Sequence, residues 1–240
     1  QSASGQKKAL LDKEAKRFFG TPMYFWNAGI GLMMLLAAGV AALVMQRDLQ
    51  ELIGLLGDAL PVMPLAAMVM GFCLCTSAVA APSISLEGKY LWILREAPVD
   101  ENSLLRIKTG FELLLSLPCT LIAGVCLTIA LKLSAAEGAV LVGAALLFCV
   151  GHAAFGMLMG LTFPKLDAVN ETVVVKQGMA VMLDMFVPMA VLGVCALLYW
   201  LGGMLSAWAA LALPIALLAA LTAVCVLILV KKGPAMLRAL

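Results

Sequence analysis

Six long apolar runs dominate this chain, and they restrict its possible folds more than any other feature. The runs cover residues 25–45, 60–81, 109–131, 138–163, 179–201 and 206–230. Each can cross a hydrocarbon core about 30 Å thick, which takes roughly 20 helical residues. Lipid offers backbone groups no water partner, so only helices and closed barrels span a bilayer, and uniform apolarity over this length favours helices. The sequence therefore predicts an all-α membrane protein with six transmembrane helices.

The overall composition argues against a soluble helical bundle. Hydrophobic residues make up 64% of the chain and charged residues only 12%, whereas a soluble domain has about 25% charged residues. A soluble fold of this composition would lack the polar side chains needed to cover its surface.

The distribution of positive charge predicts the topology. Of the 16 lysines and arginines, all but Arg47 and Lys132 fall before the first run, between runs two and three, between runs four and five, or after run six. Positive residues mark the cytoplasmic side of a membrane protein. We therefore expect both termini to be cytoplasmic.

Residues 1–22 are predicted to form a cytoplasmic amphipathic helix, and residues 23–240 the six-span domain. Apolar side chains recur at helical spacing in the first segment, namely Leu10, Leu11, Ala15, Phe18 and Phe19. Such a helix typically lies in the membrane interface, with its apolar face toward acyl chains and its lysines toward anionic headgroups. The alternative is a simple flank of the first span.

Two cytoplasmic segments join the spans, residues 82–108 and residues 164–178. In the longer one, a short helix over residues 85–94 is expected to stop before Pro98, because proline disfavours helix at the preceding residue. Asp100 is a predicted N-cap for a helix that continues into span three, and Asn170 for a helix that leads into span five.

Three ionisable residues lie within the apolar runs, Glu112, His152 and Asp184. Ionisable groups are costly in lipid and normally face a bundle interior, a cavity or a partner. One interpretation is functional: the three residues form a polar lining or a proton relay. The other is structural: they make hydrogen-bonded contacts near the cytoplasmic interface. The sequence does not decide between these readings.

No catalytic constellation is visible, so we do not expect this chain to be an enzyme. It has one histidine and shows no metal motif, and we expect no bound cofactor, metal or nucleic acid. Gly88-Lys89 is not a phosphate-binding loop, because that motif needs a glycine where Ser83 stands and a serine or threonine where Tyr90 stands. Any ATP-driven action would therefore need hydrolysis in a partner chain.

Two stretches of sequence carry a resemblance to a known family. Residues 82–99 read PSISLEGKYLWILREAPV, and the second stretch comprises FPKLD at 163–167, Asn170-Glu171 and VKQ at 175–177. The chain resembles type 2 ABC transporter permeases, more narrowly the ABC exporter permeases of Gram-positive bacteria. The N-terminal amphipathic helix, the six spans and the inside termini also match one six-span half of that family. Since the chain does not begin with methionine, we expect it to be the C-terminal half of a longer permease.

The resemblance implies a permease half in the bacterial cytoplasmic membrane that works with a cytosolic ABC ATPase subunit and a second six-span half, or as a homodimer. It implies that loop 82–108 couples to the ATPase. The coupling residues would be Glu87, Gly88, Lys89, Tyr90, Trp92, Arg95 and Glu96, and the second cytoplasmic loop would contribute Lys165, Asp167, Asn170 and Glu171. The competing hypotheses are an ion-coupled secondary transporter and a non-transporting membrane scaffold.

Overall fold

The computed structural model describes residues 3–57, 61–92, 100–168 and 170–240. Within these ranges all regular structure is helical, and six helices are long and apolar enough to cross a membrane. The predicted fold class is therefore confirmed, and the chain is a multi-pass membrane protein.

The six spans are preceded, joined and interrupted by shorter helices. The N-terminal helix covers Ala3–Gly20 and an outer helix covers Gln46–Leu56. Span one is Pro22–Val44, span two begins with Val62–Cys75, and span three is Glu101–Ala130. Span four is Ala135–Thr162, the loop helix is Glu171–Gln177, span five is Met179–Gly203 and span six is Ala207–Arg238.

The helix starts follow local chemistry that the sequence displays. Asp100 accepts a hydrogen bond from the backbone N–H of Ser103 (3.0 Å), and Asn170 accepts one from Val173 (3.0 Å). Both predicted N-caps are confirmed. Ser134 and Glu137 form a reciprocal capping box at the outer start of span four, which satisfies two N–H groups that a helix terminus leaves free.

Span two differs from the prediction because it is broken. The run at 60–81 suggests one continuous helix, but the helix ends at Cys75, and helical structure resumes at Ala80–Ser83 and continues as a 3-10 helix at Ser85–Tyr90. The hydroxyl of Thr76 donates to the carbonyl of Cys73 (2.8 Å), and that of Ser77 to Ala28 (2.9 Å). We call residues 80–92 the elbow. The predicted start of span two at residue 60 lies outside the described residues.

Span four packs against both parts of span two because it carries small residues. A Cβ on Gly160 would lie 2.5 Å from the carbonyl oxygen of Ala81, and one on Gly156 would lie 2.8 Å from Oδ2 of Asp184. Glycine at both positions allows this approach, as expected for a small-xxx-small step in a membrane helix. The step brings the elbow and span five against span four.

The N-terminal helix packs on protein, which corrects the prediction that its apolar face meets acyl chains. Leu11, Ala15 and Phe18 contact a core cluster that includes Tyr24 of span one and Phe111 of span three. Phe18 is 2% exposed, and only Phe19 of the predicted apolar face is largely exposed, at 61%. The apolar face of the N-terminal helix is therefore buried mainly against the helical bundle.

Candidate functional site

The four segments predicted to be cytoplasmic lie at the same end of the bundle. The backbone N–H of Lys165 donates to Oγ of Ser85 (3.0 Å), which joins the two loops. Arg238, at the end of span six, pairs with Glu101 at the start of span three (2.7 Å). The two stretches that carry the family resemblance therefore meet in space, although about 80 residues separate them.

A cluster of five charged side chains fastens the N-terminal helix to this end; we call it the ionic clamp. Its members are Lys13, Glu14, Arg17, Glu87 and Lys108. They come from the N-terminal helix, the elbow and the first turns of span three.

Lys108 lies at the centre of the ionic clamp and is 1% exposed. Its Nζ donates to Oε1 of Glu14 (2.6 Å), to Oε1 of Glu87 (2.8 Å) and to the carbonyl of Ser83 (3.2 Å). An ammonium group has three donors, so all of its hydrogen-bonding capacity is used. A buried charge with this many partners is stable where a lone one would not be.

Glu87 forms ion pairs with the other two cations of the ionic clamp, Lys13 and Arg17. Arg17 donates to both of its carboxylate oxygens (2.8 and 2.9 Å), and Lys13 donates to Oε2 (2.8 Å). Burial alone would lower the pKa of Arg17, but hydrogen bonding to Glu87 and its charge outweigh this, so the pKa is raised. Arg17 therefore stays charged, and its planar fork fixes the carboxylate in a bidentate pair.

These contacts change the interpretation of the predicted coupling residues. Glu87 is 4% exposed, so its carboxylate is engaged inside the chain and is not at the surface to meet an ATPase. Gly88 has φ +53° and ψ −141°, a conformation that glycine adopts readily and other residues rarely do. Tyr90 and Trp92 are 64% and 60% exposed. The side chain of Lys89, and both Arg95 and Glu96, lie outside what the structure describes.

The loop at residues 164–178 supplies a cap and exposed polar groups. Lys165 and Asp167 are exposed, and Asn170 caps the loop helix that Glu171 begins. The carbonyl of Leu166 lies 3.4 Å from where a Cβ on Gly88 would be. This loop therefore packs directly beside the glycine of the elbow.

A second polar cluster, the buried triad, lies within the spans and contains the three ionisable residues singled out from the sequence. Nδ1 of His152 is 2.9 Å from Oε1 of Glu112, and Nε2 is 3.7 Å from Oδ1 of Asp184. The other oxygen of Glu112 accepts the backbone N–H of Ala80 (2.6 Å) at the break in span two. The structure thus brings together spans three, four and five and the start of the elbow.

The two ends of the buried triad differ in their hydrogen bonding. Glu112 has a partner for each oxygen, whereas Nε2 of His152 and both oxygens of Asp184 have none within hydrogen-bond distance among the described residues. His152 is 5% exposed and Asp184 0%. Buried polar groups are nearly always paired, so exceptions of this kind indicate a place to look for function.

Sequence reasoning missed Glu14, Lys108 and the structural role of Tyr24. The Tyr24 side chain is 1% exposed, and its hydroxyl donates to the carbonyl of Val79 (2.7 Å). Glu14 precedes Phe18 by four residues, and Lys108 precedes Glu112 by four, so each pair shares a helix face. That spacing was the available signal that both charges point inward.

The structure defines a six-span membrane protein in which the ionic clamp fastens one end of the bundle and a polar triad is buried within the spans. A model of the family described as "Putative ATP-binding cassette" matches residues 1–230. The chain therefore belongs to that family. The description names an ATP-binding cassette; together with the six candidate membrane helices, it is consistent with a membrane component of an ABC system. The same comparisons found no match among curated proteins or among solved structures.

Proposed function

We propose that this chain is the permease subunit or half-subunit of an ATP-driven exporter and that it is coupled through the elbow to a separate cytosolic ATPase. The observation that carries the proposal is the pair of exposed aromatics, Tyr90 and Trp92, on a segment that Glu87 fixes to the rest of the bundle. Exposed tyrosine and tryptophan are the side chains most enriched where protein surfaces bind tightly.

The ionic clamp supports a transmitting role for the elbow. Glu87 ties the elbow to the N-terminal helix and to Lys108 of span three, and Ala80 ties it to Glu112. A partner that displaces Tyr90 and Trp92 would therefore act on these elements together. Since the printed sequence contains no phosphate-binding loop, the partner chain would supply ATP binding and hydrolysis.

The test is co-purification of an ATPase with the tagged chain in its natural membrane. Trp92→Ala and Tyr90→Ala should reduce the recovered ATPase severalfold. Trp208→Ala removes an 82% exposed tryptophan at the opposite end of the bundle and should leave recovery unchanged. Equal recovery from all three variants, or no ATPase with the wild type, would overturn the coupling proposal.

Ion-coupled secondary transport is the second candidate, because the structure places Glu112, His152 and Asp184 in one cluster. Intramembrane carboxylate and histidine chains serve as proton relays in transporters. Uptake or efflux driven by an imposed proton gradient without ATP, and lost in Asp184→Asn, would favour this candidate. Transport that needs ATP and a partner would exclude it.

A further inference from the structure

A narrow apolar crevice runs between the spans and reaches the buried triad. Its outer part has a volume of about 310 Å³ and its inner part about 160 Å³. Phe148 and Leu218 line both parts, so the two are neighbours. Trp200 lines the outer part and His152 the inner part. The combined size falls in the range of small-molecule sites.

The walls of the crevice come from four spans. The crevice is open on one side and is lined by residues of span two (Met63 to Gly71), span four (Val140 to Phe155), span five (Val187 to Trp200) and span six (Leu211 to Cys225). Except at Tyr199, Trp200, His152 and Thr222, these side chains are apolar. An occupant needs an apolar body for most of its length and a polar group only at the His152 end.

At the polar end, a histidine nitrogen and a carboxylate face each other without a hydrogen-bond partner. Glu112 already accepts the N–H of Ala80, so His152 presents its Nδ1–H to the other oxygen of Glu112. In the neutral imidazole, Nε2 then carries a lone pair. That lone pair faces the carboxylate of Asp184 at 3.7 Å. Two buried acceptors at this distance need a donor between them, which is either a proton on Nε2 of His152 or an N–H group of a bound molecule.

The charge of the buried triad indicates what kind of donor fits. The triad contains two carboxyl groups and one imidazole, so with both carboxylates ionised it is net negative in either state of His152. The unpartnered atoms are Nε2 of His152 and the two oxygens of Asp184, and a primary ammonium has three N–H donors and no acceptor. Cysteine thiols, such as that of Cys75 nearby, supply no competing positive charge.

We propose that the crevice binds an amphipathic molecule with a primary ammonium group, which lies against His152 and Asp184 while the apolar body occupies the space between spans two, four, five and six. The proposal names a substrate class for the exporter and rests on the proposed function. Asp184 lies one helical turn from Pro188, which lines the inner part of the crevice. Asp184 itself does not line the crevice, but its Oδ1 lies 3.7 Å from Nε2 of His152, which does, so the ammonium group would meet the carboxylate at that nitrogen.

The binding test uses the full chain in phosphatidylcholine nanodiscs and a dansylated alkylamine as probe. Energy transfer from Trp200, which lines the crevice, reports occupancy. The matched probe is the same molecule with its amine acetylated, which keeps the apolar body and removes the charge. The ammonium probe should bind at least about tenfold more tightly, since hydrogen bonds to charged groups contribute about 1.5–3 kcal/mol.

Variants separate the two ends of the site. Asp184→Asn should abolish the preference for the ammonium probe, while Glu137→Gln, an exposed carboxylate at the outer end of span four, should keep it. Leu218→Trp fills the crevice and should weaken both probes equally. Equal binding of the two probes by the wild-type protein, which needs no variant to fold, would mean that the triad carries a proton only and would overturn the proposal.

The source of the amine is decided by adding phosphatidylethanolamine, whose headgroup is a primary ammonium. Displacement of the probe by this lipid would identify a bilayer lipid as the occupant, and its failure to displace would identify a free amphiphile; both support the ammonium site. Probe binding requires no ATPase. Loss of ATPase co-purification would therefore disprove the exporter proposal and leave the measured ammonium binding unaffected. If the ATPase still co-purified but the two probes bound equally, only the ammonium-site proposal would be disproved.

Discussion

The ionic clamp and the buried triad are both buried clusters of acids and bases, yet they differ in how well their members are paired. In the clamp, Lys108 uses all three donors and Glu87 accepts from three cations. In the triad, Asp184 has no hydrogen-bond partner among the described residues. A fully connected network rigidifies a structure, whereas a partly connected one is destabilising by itself. The comparison separates a cluster that holds the fold from one that is available for a ligand.

Removal of the central cation of the clamp should have the largest effect. Lys108→Met leaves Glu14 and Glu87 buried beside each other, and breaking a buried pair in this way typically costs about 3–5 kcal/mol. Chemical unfolding of the full chain in mixed micelles, followed by tryptophan fluorescence, measures the change. Lys16→Met alters an exposed lysine of the N-terminal helix and should unfold like the wild type. Similar unfolding of both variants would show that the clamp is not structural.

Gly88→Ala should have the next largest effect. Its backbone has φ +53°, and holding a non-glycine residue in such a region costs of the order of 1–3 kcal/mol. Gly54→Ala is the control, because Gly54 has an ordinary helical backbone in the outer helix with nothing within 4 Å of an added Cβ. That change should stabilise the helix slightly. If the two substitutions gave the same unfolding midpoint, the elbow would not depend on this glycine.

Asp184→Asn should leave stability unchanged or raise it by up to about 1 kcal/mol, because it removes a buried carboxyl group whose oxygens have no hydrogen-bond partner. Transport or ammonium binding should be lost in the same protein. Lys108→Met should lose stability, whereas Asp184→Asn should lose function and keep stability. This contrast is the most direct test of the difference between the ionic clamp and the buried triad. A destabilisation as large as that of the clamp variant would place the triad among the structural networks.

The smallest effect is expected for Glu101→Gln. Its partner Arg238 has a side chain that is 66% exposed, and solvent and salt screen such a surface pair. Unfolding at low and at high ionic strength should differ slightly in the wild type and converge in the variant. A large loss at both ionic strengths would show that the ends of spans three and six are held by this pair.

The sequence predicts the features that depend on local pattern. Hydropathy locates spans one, four and five to within a few residues. Span three begins eight residues earlier, at Glu101, span six continues to Arg238, and the helix of span two ends at Cys75. These ends of spans three and six are polar, so hydropathy alone does not count them as helix. Asp100 and Asn170 were predictable as caps because a cap is a contact within one turn.

The features that the sequence does not reveal depend on contacts between distant residues. Lys108 and Glu14 are 94 positions apart, and positive charge beside an apolar run is read as a solvated loop. No glycine or proline lies between Cys75 and Pro82, so tertiary contacts such as those of Ser77 and Tyr24 explain the break. His152, Glu112 and Asp184 could be named as costly in lipid, but not placed in contact.

The break in span two also determines where a force applied at the elbow end of the bundle would act. A continuous helix moves as a rod, but here the backbone ladder is interrupted between Cys75 and Ala80. A pull on the elbow therefore reaches the hydrogen bond from Ala80 to Glu112 before it reaches Val62–Cys75, whose side chains form part of the crevice wall. The interruption divides span two into two helical segments. They meet beside the buried triad, and the outer segment is held by the neighbouring spans.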